Sequence, residues 1–309
     1  MATTNNLTTT YAGEFAGKYV SAALLSGKTL AEGNLTIKPN IKYKEVMKKV
    51  ATDDIVKNAT CDFDPTSTLT LTERILTPEE FQVNLQLCKK DFRGDWEAVQ
   101  MGYSAYDNLP PSFSDFLIAH VADKVAQKME QNIWNGTNAN AGEFDGFKTT
   151  LLADADVNDV AAVGGGVLST NVVAELGKIV DAIPSAVYGS EDLLLYVSSN
   201  IYRAYVRALG GFATNVGAAG TDSKGTQWFN GGALTYDGIN VVMAPGLADN
   251  TGVAAEKGNL FFGTGLMNDQ NEVKVIDMAD IDGSQNVRVV MRFTAGIQHA
   301  IGSDIVLYS

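Results

Sequence analysis

Histidine and cysteine are nearly absent from this chain, with two of each among 309 residues. His120 and His299 are too few, and too far apart in sequence, for a metal site built on local histidine spacing. Each therefore reads as a packed or interfacial histidine rather than a general base. Cys61 and Cys88 read as free thiols, because no secretory leader is visible to carry the chain to an oxidising compartment. The N-terminus, Met1-Ala2-Thr3-Thr4-Asn5-Asn6, has no basic segment followed by an apolar one, so folding in the cytosol is expected. No apolar run approaches the ~20 residues that span a bilayer, so no membrane partner is expected.

Signatures of catalysis are missing as well. Gly263-Thr264-Gly265-Leu266-Met267-Asn268 lacks the third glycine of a dinucleotide fingerprint, and Gly164-Gly165-Gly166 lacks the lysine of a phosphate loop. No Gly-x-Ser-x-Gly elbow presents a nucleophilic serine. Asp280-Ile281-Asp282-Gly283 matches part of a calcium loop, but Met278 and Val289 stand where further ligands belong. A β-turn is expected there instead. No catalytic residue, cofactor-binding residue or metal ligand is nominated, and the chain reads as a non-enzyme.

What is present is a large apolar fraction, 45% of residues, enough for the core of one large domain or two modest ones. Net charge is −13 and the pI is near 4.6. That balance argues against a tight or sequence-reading nucleic-acid binder, which usually carries a basic face. The charge is unevenly spread. Between Thr36 and Lys57 stand Lys38, Lys42, Lys44, Lys48, Lys49 and Lys57 against Glu45, Asp53 and Asp54. Between Asp249 and Asp282 stand Asp249, Glu256, Asp269, Glu272, Asp277, Asp280 and Asp282 against Lys257 and Lys274. These are either two solvated surfaces or a basic arm of one copy lying on an acidic surface of another.

Along the chain, residues 1–10 read as a Thr/Asn-rich tail, and Phe15, Tyr19, Ala22, Ala23 and Leu25 as a short helix ending near Gly27. Residues 35–77 read as an extended hairpin turning at Asp62-Phe63-Asp64-Pro65-Thr66-Ser67. So little of it can form a core of its own that it is expected to borrow one from a neighbour. Phe81, Val83, Leu85 and Leu87 alternate with polar residues as in a half-buried strand.

Pro110-Pro111 then bars helix upstream, and Phe113, Leu117, Val121, Val125, Met129 and Ile133 recur every fourth residue. That stripe predicts one helix of about 35 Å over 111–135. Asn135-Gly136 is expected to end it through the left-handed conformation. A helix capped by Thr170 is predicted to bury Val173, Leu176, Val180 and Ile183 before Pro184 stops it. Leu193–Val197 reads as a strand, followed by a helix from Ser198 or Ser199 to Leu209. The last third is strand-rich: Ile239–Met243, Leu260–Phe262, Val273–Ile276, Val287–Phe293 and Val306–Tyr308. The whole is an α+β chain with long antiparallel strands.

The order of these elements resembles the major capsid proteins of tailed bacteriophages, the HK97-like coat fold. The likeness rests on the hairpin, the helix entered through Pro110-Pro111, and its exit Ile133-Trp134-Asn135-Gly136-Thr137 leading to Gly142-Glu143-Phe144-Asp145-Gly146-Phe147. Tyr236-Asp237-Gly238-Ile239-Asn240-Val241-Val242, Leu260-Phe261-Phe262-Gly263 and the strand before Gly296-Ile297 extend it.

The resemblance implies an N-terminal arm (1–34), an E-loop hairpin (35–77), a P-domain (78–167 and 263–309) with spine helix 111–135, and an A-domain (168–262). It implies a structural protein that self-assembles as hexamers and pentamers into an icosahedral shell enclosing packaged double-stranded DNA. Assembly would take place in the host cytoplasm, and the product would be the virion capsid. A portal protein, a decoration protein and DNA contacted without sequence preference are the implied partners. Because the arm starts almost at Met1, a separate scaffolding protein is expected. Lys38, Lys42, Lys44, Lys48 and Lys49 become candidate contacts to a neighbour, and Asp269, Glu272, Asp277, Asp280 and Asp282 the acidic surface they meet. No Lys–Asn crosslink is expected. Two other readings are an encapsulin-type compartment shell and, more remotely, a cytosolic enzyme with a carboxylate acid/base site.

Overall fold

The computed structural model describes residues 28–52, 56–59, 61, 68–92, 111–209, 234–265 and 274–309. The tail and first predicted helix, the hairpin turn at 62–67 and the segments 93–110, 210–233 and 266–273 lie outside the described residues. The chain enters through α1 (Lys28–Ala31) and β1 (Thr36–Lys38), then runs out and back along β2 (Glu45–Thr52) and β3 (Leu69–Leu76). β4 (Glu79–Cys88) and the single turn α2 (Lys89–Phe92) come before the long helix α3 (Pro111–Asn135) and the short α4 (Phe147–Leu152). β5 (Asn158–Val160), α5 (Val172–Asp181), β6 (Leu193–Val197) and α6 (Ser199–Leu209) follow. Then come β7 (Leu234–Tyr236), β8 (Ile239–Met243), β9 (Gly252–Glu256), β10 (Leu260–Gly263), β11 (Lys274–Asp277), α7 (Ala279–Asp282), β12 (Asn286–His299) and β13 (Val306–Tyr308).

Among the described residues the strands form three sheets. β12, fourteen residues long, organises the first: β4 pairs along it from Asn286↔Cys88 to Ala295↔Glu79, while β11 and β10 share its other edge. β1 completes that edge, parallel to β10. Alternation decides which side of β12 is inside, since Val287, Val289, Met291, Phe293 and Ala295 are buried and Arg288 and Arg292 are exposed. The second sheet has the order β5-β13-β9-β6-β8-β7, with parallel pairs at β13/β5 and β6/β8. α5 and α6 cover one face of this sheet through Leu176, Ile179, Ile201 and Tyr205. Val306, Leu307 and Tyr308 are all buried, and a strand without an exposed face takes an interior place in a sheet. The last strand therefore joins the sheet that holds most of residues 168–262, whereas β10 leaves it for the first. β2 and β3 form a third sheet by themselves.

α3 ties the first two sheets together. Val121, Met129 and Ile133 are buried and Val125 packs against the same cluster, so the four-residue stripe is real over the described side chains. Trp134 is fully buried, its ring 5.5 Å from Phe147 and 5.1 Å from Tyr196. Its indole N–H donates to Thr29 Oγ1 at 3.0 Å, which fixes α1 on the helix.

Three expectations need correction. Neither Asn135 nor Gly136 takes a left-handed conformation. Gly136 is needed for a different reason: a side chain there would collide with the Phe144 carbonyl and the backbone of Asn132. In α5 the buried apolar set is Val172, Leu176, Ile179 and Val180, with Ile183 buried just beyond the helix, while Val173 is 52% exposed; the N-cap is Asn171 rather than Thr170. Residues 279–282 form one helical turn instead of a β-turn, stopped by Gly283 at φ 70°. These assignments are testable by urea denaturation of the unassembled chain. Ile133→Ala is expected to cost about 2–5 kcal/mol, whereas Val173→Ala stays within about 0.5 kcal/mol. Equal losses would mean that the two faces are misassigned.

Candidate functional site

The hairpin is the feature that the body of the molecule does not explain. Paired residues share a face of a two-stranded ribbon, so one face carries Val46 opposite Ile75 and Lys48 opposite Glu73, with Leu71 and Leu69 further along β3. On that face Val46, Ile75, Leu69 and Leu71 are 45%, 43%, 64% and 64% exposed. An apolar row of this kind is unusual on a monomer's surface and marks a contact site.

Its root, by contrast, is built in. Leu76 is fully buried, and a side chain at Gly263 would come within 2.7 Å of Leu76 Cδ2 and 2.8 Å of Ile41 Cδ1. Gln298 Nε2 donates to the Ile75 carbonyl at 3.1 Å. Arg74 pairs with Asp154, whose Oδ2 also lies 2.8 Å from Nε2 of His299. Burial alone would raise the Asp154 carboxyl, but donation from His299, the Asp156 amide and Arg74 outweighs it and holds the group below its ordinary value. His299 is fully buried; that burial, helped by the Arg74 charge, keeps it below the usual histidine value against the pull of Asp154.

The expected lysines divide between root and arm. Lys38 is committed within its own chain: it pairs with Glu45 at 2.6 Å and sits 5.2 Å over the Phe261 ring. Lys42 and Lys44 are exposed where the chain enters β2, and Lys44 lies 5.3 Å over Tyr43. Lys48 is exposed on the apolar face; Lys49 is half-buried and points to the opposite one.

Of the acidic residues, Asp277 pairs with the almost completely buried Lys89 of the same chain. Asp282 is exposed, and hydrogen bonds with Ser284 hold its carboxyl below the ordinary value. Asp269, Glu272 and the side chain of Asp280 lie outside the described residues. Among the described residues, the chain commits Lys38 and Asp277 to ion pairs of its own.

Sequence reasoning missed the buried polar anchors. Glu130, on α3, accepts from the Thr29 amide at 3.2 Å and from the Thr29 hydroxyl. Burial raises its carboxyl although donors at Thr29, Gly246 and Trp134 pull it down. Glu175, on α5, accepts from Tyr308 at 2.8 Å and pairs with Lys178. The inward parity of His299 with Phe293 signalled burial, but no local pattern pointed to Asp154. Among the described residues no cluster of three metal-ligating side chains occurs, and no helix is long and apolar enough to cross a membrane. The geometry offers contact surfaces and anchors.

No protein-family model and no curated protein matches the sequence. Solved structures do. The capsid of an empty GTA particle aligns over 94% of this chain and 92% of its own, with TM-score 0.63 and 14% identity. Mycobacterium phage Adephagia aligns over 95% and 94% at TM-score 0.56 and 16% identity. The capsid of cyanophage P-SCSP1u covers 99% and 96% at 0.56 and 15%. The fold is that of a phage capsid protein. This HK97-like coat fold accounts for a small hairpin sheet standing off two larger ones. It also accounts for the long helix that joins them.

The Lys89–Asp277 pair gives a direct test of how the coat fold is held. Asp277→Ala takes one carboxylate from an almost completely buried ammonium and should cost roughly 1.5–3 kcal/mol, the worth of a hydrogen bond to a charged group. Adding Lys89→Met should restore part of that loss. A single variant as stable as the parent in thermal melts would show that the pair is not buried in solution.

Proposed function

We propose that this chain is the major capsid protein of a tailed bacteriophage, a structural protein rather than an enzyme. It assembles with itself as hexamers and pentamers into an icosahedral shell around packaged double-stranded DNA. The observation that carries this reading is the end-to-end correspondence with phage and GTA capsid chains, above nine-tenths of both partners in each of the three comparisons. A shell subunit also needs surfaces that a single copy leaves uncovered, and Val46, Leu69, Leu71 and Ile75 are such a surface.

On this reading residues 1–34 form an arm and 35–77 an E-loop lying over a neighbouring subunit. Residues 78–167 and 263–309 form the P-domain around the spine helix, and 168–262 the A-domain. Lys42, Lys44, Lys48 and Lys49 meet an acidic stretch of the neighbour that includes Asp269, Glu272, Asp280 and Asp282, and charge complementarity fixes the register of the contact. Apolar burial supplies most of the free energy, at roughly 25 cal/mol per Å². A separate scaffolding protein, a portal and a decoration protein are the further partners. Assembly takes place in the host cytoplasm and the product is the virion capsid. With a net charge of −13 the shell holds its DNA loosely and without sequence preference.

Light scattering and negative-stain microscopy of the purified chain, with and without a candidate scaffold, test the reading. Uniform shells or capsomer rings are expected; a monomer under every condition would overturn it. Nuclease-protected DNA inside particles from infected cells supports the phage role, whereas an enclosed enzyme in place of DNA points to an encapsulin-type compartment. Reversing Lys42, Lys44, Lys48 and Lys49 to glutamate should abolish assembly and leave a folded monomer. Normal particles from that variant would remove the lysines from the interface. On a denaturing gel the particles should run as monomer, without a covalent ladder.

A further inference from the structure

One carboxylate oxygen, Asp154 Oδ2, serves two donors from different parts of the fold: Arg74 on β3 of the hairpin and His299 at the end of β12. His299 has no exposed surface, and its Nδ1 is buried with no hydrogen-bond partner. A neutral imidazole fits this arrangement, with Nε2–H donating to Asp154 and a bare Nδ1. A protonated one does not. The new Nδ1–H would be a buried donor without an acceptor. The ring's charge would share a single carboxylate with the Arg74 guanidinium. Asp154 and Arg74 are the charged groups that act on the ring. Asp156 uses its amide to donate to Asp154 Oδ1 at 3.1 Å. β10 presents Leu260 opposite His299, and a 3₁₀ turn over Gly302–Asp304 brings Gly302 against Asp154. The Arg74 side chain, 28% exposed, is the member that can turn outward to water.

We propose that the hairpin root is a proton-operated latch, with Asp154 as the catch and His299 as the sensor. Protonating His299 draws Asp154 away from Arg74 and loosens the hairpin from the body. The sign follows from linkage. A buried histidine that is harder to protonate in the closed form makes that form lose stability as pH falls below the ordinary histidine value. Asp154, whose carboxyl is held low, adds a loss only at more acidic pH. The latch is a property of the single chain and stands or falls independently of the shell reading.

Hydrogen–deuterium exchange on the purified full chain, corrected for intrinsic rates, tests it at pH 7.5 and 5.5. A histidine titrating near 6.5 in the open form and unprotonated in the closed form makes opening about tenfold more favourable over that interval. Peptides covering residues 45–48 and 73–76 should show that increase, and peptides of β6 and β9 should not. His299→Gln keeps a donor toward Asp154 but cannot titrate, so its ratio should be about one. Arg74→Gln lacks the bolt: its root should exchange fast at both pH values, again with a ratio near one, and this variant decides the matter if His299→Gln does not fold. Equal exchange of the wild-type hairpin at the two pH values would overturn the latch, as would a tenfold ratio surviving in either variant.

Discussion

The close approach of backbones at the C-terminal end of α3 is the constraint on which both large sheets depend. Gly136 and Gly146 lie so near the helix that a side chain at Gly146 would come within 2.5 Å of the Asn132 carbonyl. On the other side, a side chain at Gly246 would strike the Glu130 carbonyl and reach 2.9 Å from Trp134 Cδ1. Asn135 seals the contact by donating to the Gly246 carbonyl. With no side chains between them, the loop after β8 and the loop after α3 close on the Trp134 indole. The ring then packs on Phe147 and Tyr196, one from each side of the molecule. A larger residue at these glycines would separate the sheets and open a cavity beside the largest buried side chain.

From that fixed centre the fold grows less self-sufficient outward. The second sheet is closed on both faces, by α5 and α6 on one and, through Tyr196, Val253, Ala255 and Leu307, by the central core on the other. The first sheet is well covered along β12 but leaves β4 half exposed, with Leu85 at 39%. The hairpin has a seated root and an apolar row facing outward. A two-stranded ribbon has one side too few to bury its own side chains, so its stability as an extended element depends on something laid against it. That gradient, from a closed centre to an incomplete arm, is what a subunit of a larger assembly requires.

Charge inside the molecule does positional work. Glu130 holds Thr29, Asp277 holds Lys89, Glu175 holds Tyr308 and Asp154 holds both Arg74 and His299. Each joins elements distant in sequence and places a directional contact on a buried or mostly buried group. Hydrophobic contacts along these strands tolerate small slides, whereas a buried carboxylate with directional donors does not. The polar anchors therefore specify where α1, β11, β13 and the hairpin seat on a core that apolar burial stabilises.

Much of this was readable from residues alone. A period of four over Val121, Val125, Met129 and Ile133 dictates the long helix, and strict alternation along Val287–Phe293 dictates a strand with one face inside, because each is a local consequence of backbone geometry. The two hairpin strands were legible from their alternation, although Thr36–Lys38, expected within the hairpin, pair with β10 in the first sheet instead, and the order of elements sufficed for the coat fold. Which sheet takes β13, why Gly136 must be glycine, and that Asp277 and Lys38 spend their charge within their own chain were decided only by the tertiary structure. Those facts concern pairs of groups brought together from distant parts of the chain. A carboxylate such as Asp154 looks like any loop aspartate until folding places Arg74 and His299 on the same oxygen.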